Sequence, residues 1–139
     1  MHKFALEKID LVKGKINFFK LIIDNRCKFD EFCNELIEGG EEKALISLYA
    51  TMDAAANLKH PKNFKELKRD SNDKIKDYEI KKNIKGLAMR IYLFDDSGRV
   101  VVFGSFKKTQ EEDINTLRRI KNEYFQNKEN DQKRRDTKK

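Results

Sequence analysis

A chain of 139 residues, 40% charged and 38% hydrophobic, fits one domain with a real core and leaves no room for two. Its 31 Lys and Arg outweigh 24 Asp and Glu to give a net charge of +7, which favours nucleic acid or an acidic protein as partner. No run reaches the ~18 apolar residues of a membrane span, and Met1-His2-Lys3-Phe4 opens no secretory signal, so a cytoplasmic protein without a membrane partner is expected.

In chain order, Lys3–Val12 and Lys15–Asp24 read as two strands around Gly14, an N-terminal β-hairpin whose second arm is dense in Ile16, Phe18, Phe19, Leu21, Ile22 and Ile23. Phe29, Phe32, Cys33, Leu36 and Ile37 then follow helical spacing and stop at Gly39-Gly40. Ala44, Leu45, Leu48, Tyr49, Met52, Ala55 and Ala56 mark a second amphipathic helix, so residues 28–58 form a helical pair resting its apolar faces on a sheet. Lys59–Asp77 is polar and holds the only proline; it reads as a connection with a short helical turn around Phe64–Leu67.

Asp77–Lys82 has the pattern of a strand feeding a second hairpin, Leu87–Gln110. There Leu87, Met89, Ile91 and Leu93 alternate with Ala88, Arg90, Tyr92 and Phe94, Asp95-Asp96-Ser97-Gly98 makes the turn, and Val100 to Phe106 returns. Both faces are mostly apolar, which predicts central, covered strands over 77–107. Arg90 is the exception, because a guanidinium stays protonated and must meet a carboxylate, solvent or a ligand anion.

Thr109-Gln110-Glu111-Glu112 fits a capping box, with Ile114, Leu117, Ile120, Tyr124 and Phe125 predicting a helix over 110–125. This helix also carries Arg118, Arg119 and Lys121, but its apolar stripe suits a packed helix better than one that reads DNA. From Gln126 to Lys139 there is no Val, Ile, Leu, Phe or Tyr and six basic residues face three acidic ones, so a disordered basic tail is expected. Cys27 and Cys33 have neither zinc-knuckle nor redox spacing and read as reduced, apolar-like thiols, while His2 and His60 lack the partners of a metal site or a catalytic triad.

The order hairpin, two helices, strand, strand-turn-strand and basic exit resembles the RelE/HigB superfamily of toxins from type II toxin–antitoxin systems. The resemblance runs from about Phe29 to Phe125. It is carried by Phe64-Lys65-Glu66-Leu67-Lys68, Tyr78-Glu79-Ile80-Lys81, Arg90-Ile91-Tyr92 and above all Phe103-Gly104-Ser105-Phe106-Lys107-Lys108-Thr109-Gln110, which is similar to the glycine-then-KKTQ ending of phage-derived members. It implies an α+β fold: a small, mostly antiparallel sheet of four to five strands, two helices from the N-terminal half on one face, and a C-terminal helix. The N-terminal hairpin extends that fold.

The resemblance further implies an mRNA endoribonuclease working at the ribosome without metal or cofactor, inhibiting translation and restrained by a cognate antitoxin. The ribose 2′-hydroxyl attacks the neighbouring phosphate, giving a cyclic phosphate and a 5′-hydroxyl, which needs a base, positive charge around the phosphorane and an acid. Carried over by position, Arg90 holds the scissile phosphate, Lys81 is base or phosphate ligand, and Lys107 stabilises the transition state; Lys68, Lys82 and Lys108 contact RNA. Glu79 stands where some relatives carry a basic residue and is either a carboxylate base or the ion-pair partner of Arg90; the tyrosine that some relatives place at the start of the last helix has no counterpart, and Tyr92 and Tyr124 are its candidate substitutes, both in patterns that favour packing in the core. An enzyme requires a shallow cleft lined by Lys81, Arg90, Lys107 and Lys68. A noncatalytic module that binds an antitoxin or RNA, and contributes to autoregulation, requires Glu79 and Arg90 paired and buried.

Overall fold

The computed structural model describes residues 3–106 and 110–137. Its elements are β1 (Phe4–Lys8), β2 (Phe18–Ile23), α1 (Lys28–Glu38), α2 (Glu42–Ala56), β3 (Phe64–Glu66), β4 (Asp77–Ile84), β5 (Leu87–Asp95), β6 (Arg99–Ser105) and α3 (Glu111–Thr137). The fold is α+β as expected, but the sheet has six strands in the order β1-β2-β6-β5-β4-β3, not four to five. The extra edge is β3: Phe64-Lys65-Glu66, expected as a helical turn, pairs antiparallel with β4 through Phe64↔Ile80 and Glu66↔Tyr78. Three residues are too few to show a strand period, so only the waiting edge of β4 decides their conformation.

All neighbours are antiparallel except β2 and β6, which run parallel through Phe18↔Arg99 to Lys20↔Val101. The helical pair carries the chain from β2 across to β3 at the opposite edge, and the antiparallel meander from β3 to β6 then brings β6 back beside β2 in the parallel sense. The N-terminal hairpin forms with Phe4 opposite Ile23, but Gly14 is not its turn. A Cβ there would lie 2.7–2.8 Å from Ala56, so glycine is required because the loop presses against the end of α2.

The sheet is covered on both faces. On one, Phe29, Phe32 and Leu36 of α1 and Ala44, Leu48 and Met52 of α2 bury Phe18, Ile80, Met89, Ile91, Leu93 and Val101. On the other, Leu117, Ile120 and Tyr124 of α3 bury Leu21, Tyr92, Phe94, Val100, Val102 and Phe103. The β5–β6 register steps from Tyr92↔Phe103 to Leu93↔Val101, leaving Val102 as an extra residue. This bulge puts both Val102 and Phe103 against α3 and turns Gly104 under the ring of Phe32, where a Cβ would meet ring atoms at 2.5–2.6 Å. Phe32 itself stacks on Phe106 with ring centroids 4.7 Å apart. Cys27 and Cys33 are free thiols, and burial pushes the Cys33 thiol up to about 11. Among the described residues no helix is long and apolar enough to cross a membrane.

α3 continues to Thr137, which corrects the expected disordered tail over residues 126–137. That segment has no glycine or proline and consists largely of good helix formers, and its first turn is tied down by Lys128, whose Nζ lies 2.9 Å from Asp96. A helix already nucleated by packing propagates at little cost, although the same residues could not nucleate one alone.

Lys121 lies inside the packed face of this helix. It is 1% exposed, with its ammonium donating to Asp77 Oδ2 at 2.9 Å, Asp73 Oδ2 at 2.6 Å and the Ile75 carbonyl at 3.0 Å. Arg118 flanks it, reaching Asp77 at 3.3 Å and the Lys68 carbonyl at 2.7 Å. Burial works against the Asp73 carboxylate, but the Lys121 hydrogen bond and charge outweigh it and hold the group below its ordinary 3.8. Two of the three cations of this helix segment are therefore internal clamps. Asp77→Ala should lower stability by about 3–5 kcal/mol in urea unfolding, because it strips a buried ammonium of its buried partner; Lys128→Ala, on the exposed part of the helix, should change it by about 1 kcal/mol or less.

Candidate functional site

Strand alternation sorts the candidate residues. Tyr78 and Ile80 enter the α1/α2 core, so Asp77, Glu79 and Lys81 point to the α3 face. Arg90, Tyr92 and Phe94 do the same from β5, because Met89, Ile91 and Leu93 face α1 and α2. Register then sets Lys81 opposite Arg90, Glu79 opposite Tyr92, and on the other side Ser105 opposite Arg90. Lys81, Arg90 and Ser105 make one transverse row at the end of the sheet where Phe106 leads on to Lys107.

Glu79 is the buried centre of this end. Its side chain is 3% exposed, and the Gln110 side-chain amide donates to both of its oxygens at 2.8 and 2.7 Å. Gln110 precedes α3, and its carbonyl accepts the Ile114 amide at 2.8 Å, so the start of the helix is fastened to β4 by one residue. Arg90, with a side chain 12% exposed, places Nε 3.6 Å from Glu79 Oε2, an ion-pair distance longer than a hydrogen bond. Glu79 thus takes short hydrogen bonds from Gln110 and stands at ion-pair distance from Arg90.

Tyr92 is completely buried and its ring lies against Phe103 at a centroid distance of 5.1 Å. Burial raises its phenol above the ordinary value, helped by the negative charges of Glu79 and Asp113. Asp113 is 4% exposed, and its Oδ2 has no hydrogen-bond partner among the described residues. A packed phenol with no route to solvent does not suit the proton-delivering role considered for it.

The other expected residues do not all converge. Lys81 is exposed beside Arg90. Lys82 is half-buried on the opposite face, since it follows Lys81 by one residue and pairs with Met89. Lys68 is exposed at the far end of β4, where its carbonyl meets Arg118 beside Asp77. Lys107 and Lys108 lie outside the described residues, as does Thr109 of the expected capping box. Of the larger grooves, one of about 480 Å³ lies between α1 and the end of β6, lined by Lys28, Phe32, Glu35, Ser105 and Phe106, and so touches the row only at Ser105; another of about 410 Å³, lined by Lys8, Asp10, Val12 and Asn17, is apart from it. Among the described residues no three His, Cys, Asp or Glu side chains converge as a metal ion needs.

Sequence reasoning missed Gln110, which closes the site from the helix side, and Lys121, which fixes that helix. Lys121 had a readable signal: it falls on the stripe of Ile114, Leu117 and Tyr124, where a lysine must be paired. Gln110 had none, because its partner is distant in sequence. Comparison with protein-family models, with curated proteins and with solved structures found no match.

All four tyrosines of the chain, Tyr49, Tyr78, Tyr92 and Tyr124, are raised above the ordinary phenol value of 10.0, chiefly by burial. Their contribution to stability is complete below pH 10 and is lost as pH rises beyond it, since the unfolded chain ionises first. Ultraviolet titration should show no phenolate in the folded protein at pH 10 and a joint rise with alkaline unfolding; a folded-state midpoint near 10 would show a phenol open to water.

Proposed function

We propose that this chain is the toxin of a type II toxin–antitoxin pair and acts as a metal-independent mRNA endoribonuclease on translated messages. The observation that carries the reading is the row of Lys81, Arg90 and Ser105, directly opposite one another on one face at the sheet end that leads to Lys107-Lys108. A planar guanidinium in that row suits a phosphate's two oxygens, and a neighbouring exposed ammonium adds charge where a phosphorane would form. The order of elements, with a covered sheet and a helix leaving the last strand, agrees with the RelE/HigB resemblance in the motifs from Phe64 to Gln110.

In this reading the 2′-hydroxyl proton passes to Lys81 or to a neighbouring base, the new bond closes the cyclic phosphate, and the departing 5′-oxygen takes a proton from the Lys107-Lys108 segment. Glu79 is then a positioning residue, setting the guanidinium of Arg90 from behind while anchored by Gln110. A second reading is favoured by a specific observation: Glu79 and Arg90 are close, and both side chains are nearly buried. In that version the protein is a noncatalytic module of the same fold that binds the antitoxin or RNA and supports autoregulation.

Induced expression of the wild-type chain, of Arg90→Ala and of the Arg90→Ala/Lys107→Ala pair, with mapping of mRNA 5′ ends, separates the two. Endoribonuclease action gives growth arrest and new 5′-hydroxyl ends, with cleavage reduced roughly 100-fold or more when Arg90 is removed from a chain that still folds. Normal growth and intact messages with soluble wild-type protein would overturn the ribonuclease and leave the binding module.

A further inference from the structure

Gly104 builds an aromatic step at the end of β6. Gly104 and Phe106 alternate with Ser105 and so face α1, where a Cβ on Gly104 would meet ring atoms of Phe32 at 2.5–2.6 Å. Glycine lets that ring rest on the strand, and Phe106 stacks on it with centroids 4.7 Å apart and planes 26° from parallel. Phe32 is 4% exposed and Phe106 is 37% exposed. The lower ring is thus fixed by the core, and the upper one is held out toward solvent.

These rings line the groove of about 480 Å³ between α1 and the end of β6. Lys28, Glu31, Phe32 and Glu35 border it from the helix, spaced i, i+3, i+4 and i+7 along one stripe. Glu31 is taken by Arg26 at 2.8 Å. The Glu35 carboxylate is exposed and has no partner among the described residues. A carboxylate only accepts hydrogen bonds, so the ligand that fits here brings a flat apolar face and N–H donors.

The groove adjoins the row of Lys81, Arg90 and Ser105 across the thickness of the sheet. Ser105 stands opposite Arg90, so the backbone of Phe106, the next residue, begins roughly 6 Å from that of Arg90 by strand geometry. Cations therefore mark the α3 side of the sheet end, and an aromatic ring with a carboxylate marks the α1 side. A nucleotide carries the matching pair of groups: an anionic phosphate, and a base with a stacking face and an N–H edge. A basic peptide satisfies the groove alone, whereas a nucleotide answers both sides at once.

We propose that this groove is a nucleobase subsite: a base of single-stranded RNA stacks on Phe106 while its phosphate lies on Arg90, and Glu35 accepts from the base's exocyclic amino group. Adenine, cytosine and guanine carry that group; uracil does not, and its carbonyl oxygens face the carboxylate unfavourably. The inference rests on the reading of the row as a phosphate site and adds to it which bases lie beside that phosphate.

Fluorescence anisotropy of the full chain with two labelled hexanucleotides, all cytosine or all uracil and made uncleavable by 2′-O-methyl groups, tests it. The wild type should bind the cytosine strand roughly tenfold more tightly than the uracil strand. Phe106→Ala should weaken the cytosine strand roughly tenfold, and Phe106→Tyr, which keeps a stacking ring, should not. Glu35→Gln should abolish the preference, and Arg90→Ala should weaken both strands alike. If Arg90→Ala weakens binding while Phe106→Ala and Glu35→Gln behave as wild type, the subsite is overturned and the phosphate row stands. A wild type that binds neither strand overturns the subsite together with the RNA reading of the row. Binding of an arginine-rich peptide that Phe106→Ala abolishes, with RNA affinity unmoved by that change, gives the groove to a protein partner and also overturns the proposal.

Discussion

The buried pair of Asp77 and Lys121 is the constraint on which the rest of this molecule depends. An ammonium in the apolar stripe of α3 is tolerable only where carboxylates and a carbonyl converge on it, and here Asp77, Asp73 and the Ile75 carbonyl do so. Hydrophobic packing alone would let the helix slide or rotate over the Val and Phe surface of β5 and β6 at small cost. The ion pair selects one position, since any displacement leaves a charge unanswered in the interior. With Arg118 beside it reaching the same aspartate, the connection between β3 and β4 is drawn against the helix as well.

Both ends of α3 take their places from that clamp. Toward its start, Gln110 comes over β4 and satisfies the carboxylate of Glu79. Toward its far side, Tyr124 donates to Asp96 at 2.5 Å and packs edge-on against Phe4, so the helix also holds the hairpin turn and the outermost strand. The candidate site and the free edge of β1 thus lie under opposite parts of one helix.

The chemistry of the sheet face follows a simple rule of alternation. β4 sends Asp77, Glu79 and Lys81 to the α3 side in succession, passing from a fully buried acid, through a nearly buried one, to an exposed base. Each acid is answered by a group from α3 or β5, and only beyond them does positive charge reach the surface. Arg90 stands at this boundary, close enough to Glu79 to be oriented by it and with part of its side chain still open to solvent. The bulge at Val102 contributes by restoring Ser105 to that face after Gly104 has passed beneath Phe32.

Much of this was legible in the residues themselves. The period of two in Leu87–Phe94, the turn residues Asp95 to Gly98 and the helical stripes of α1, α2 and α3 determined element type and the α+β class, because burying one face imposes those spacings whatever the partner. The sequence also marked Arg90 as a residue needing an explanation. Tertiary structure alone decided the rest: that Phe64–Glu66 extends along β4, that Gly14 meets α2, that the helix runs on through Gln126 to Thr137, and that Glu79 answers Gln110. Each depends on a partner remote along the chain, and a local pattern carries no information about which distant group will satisfy a buried charge or an unpaired amide.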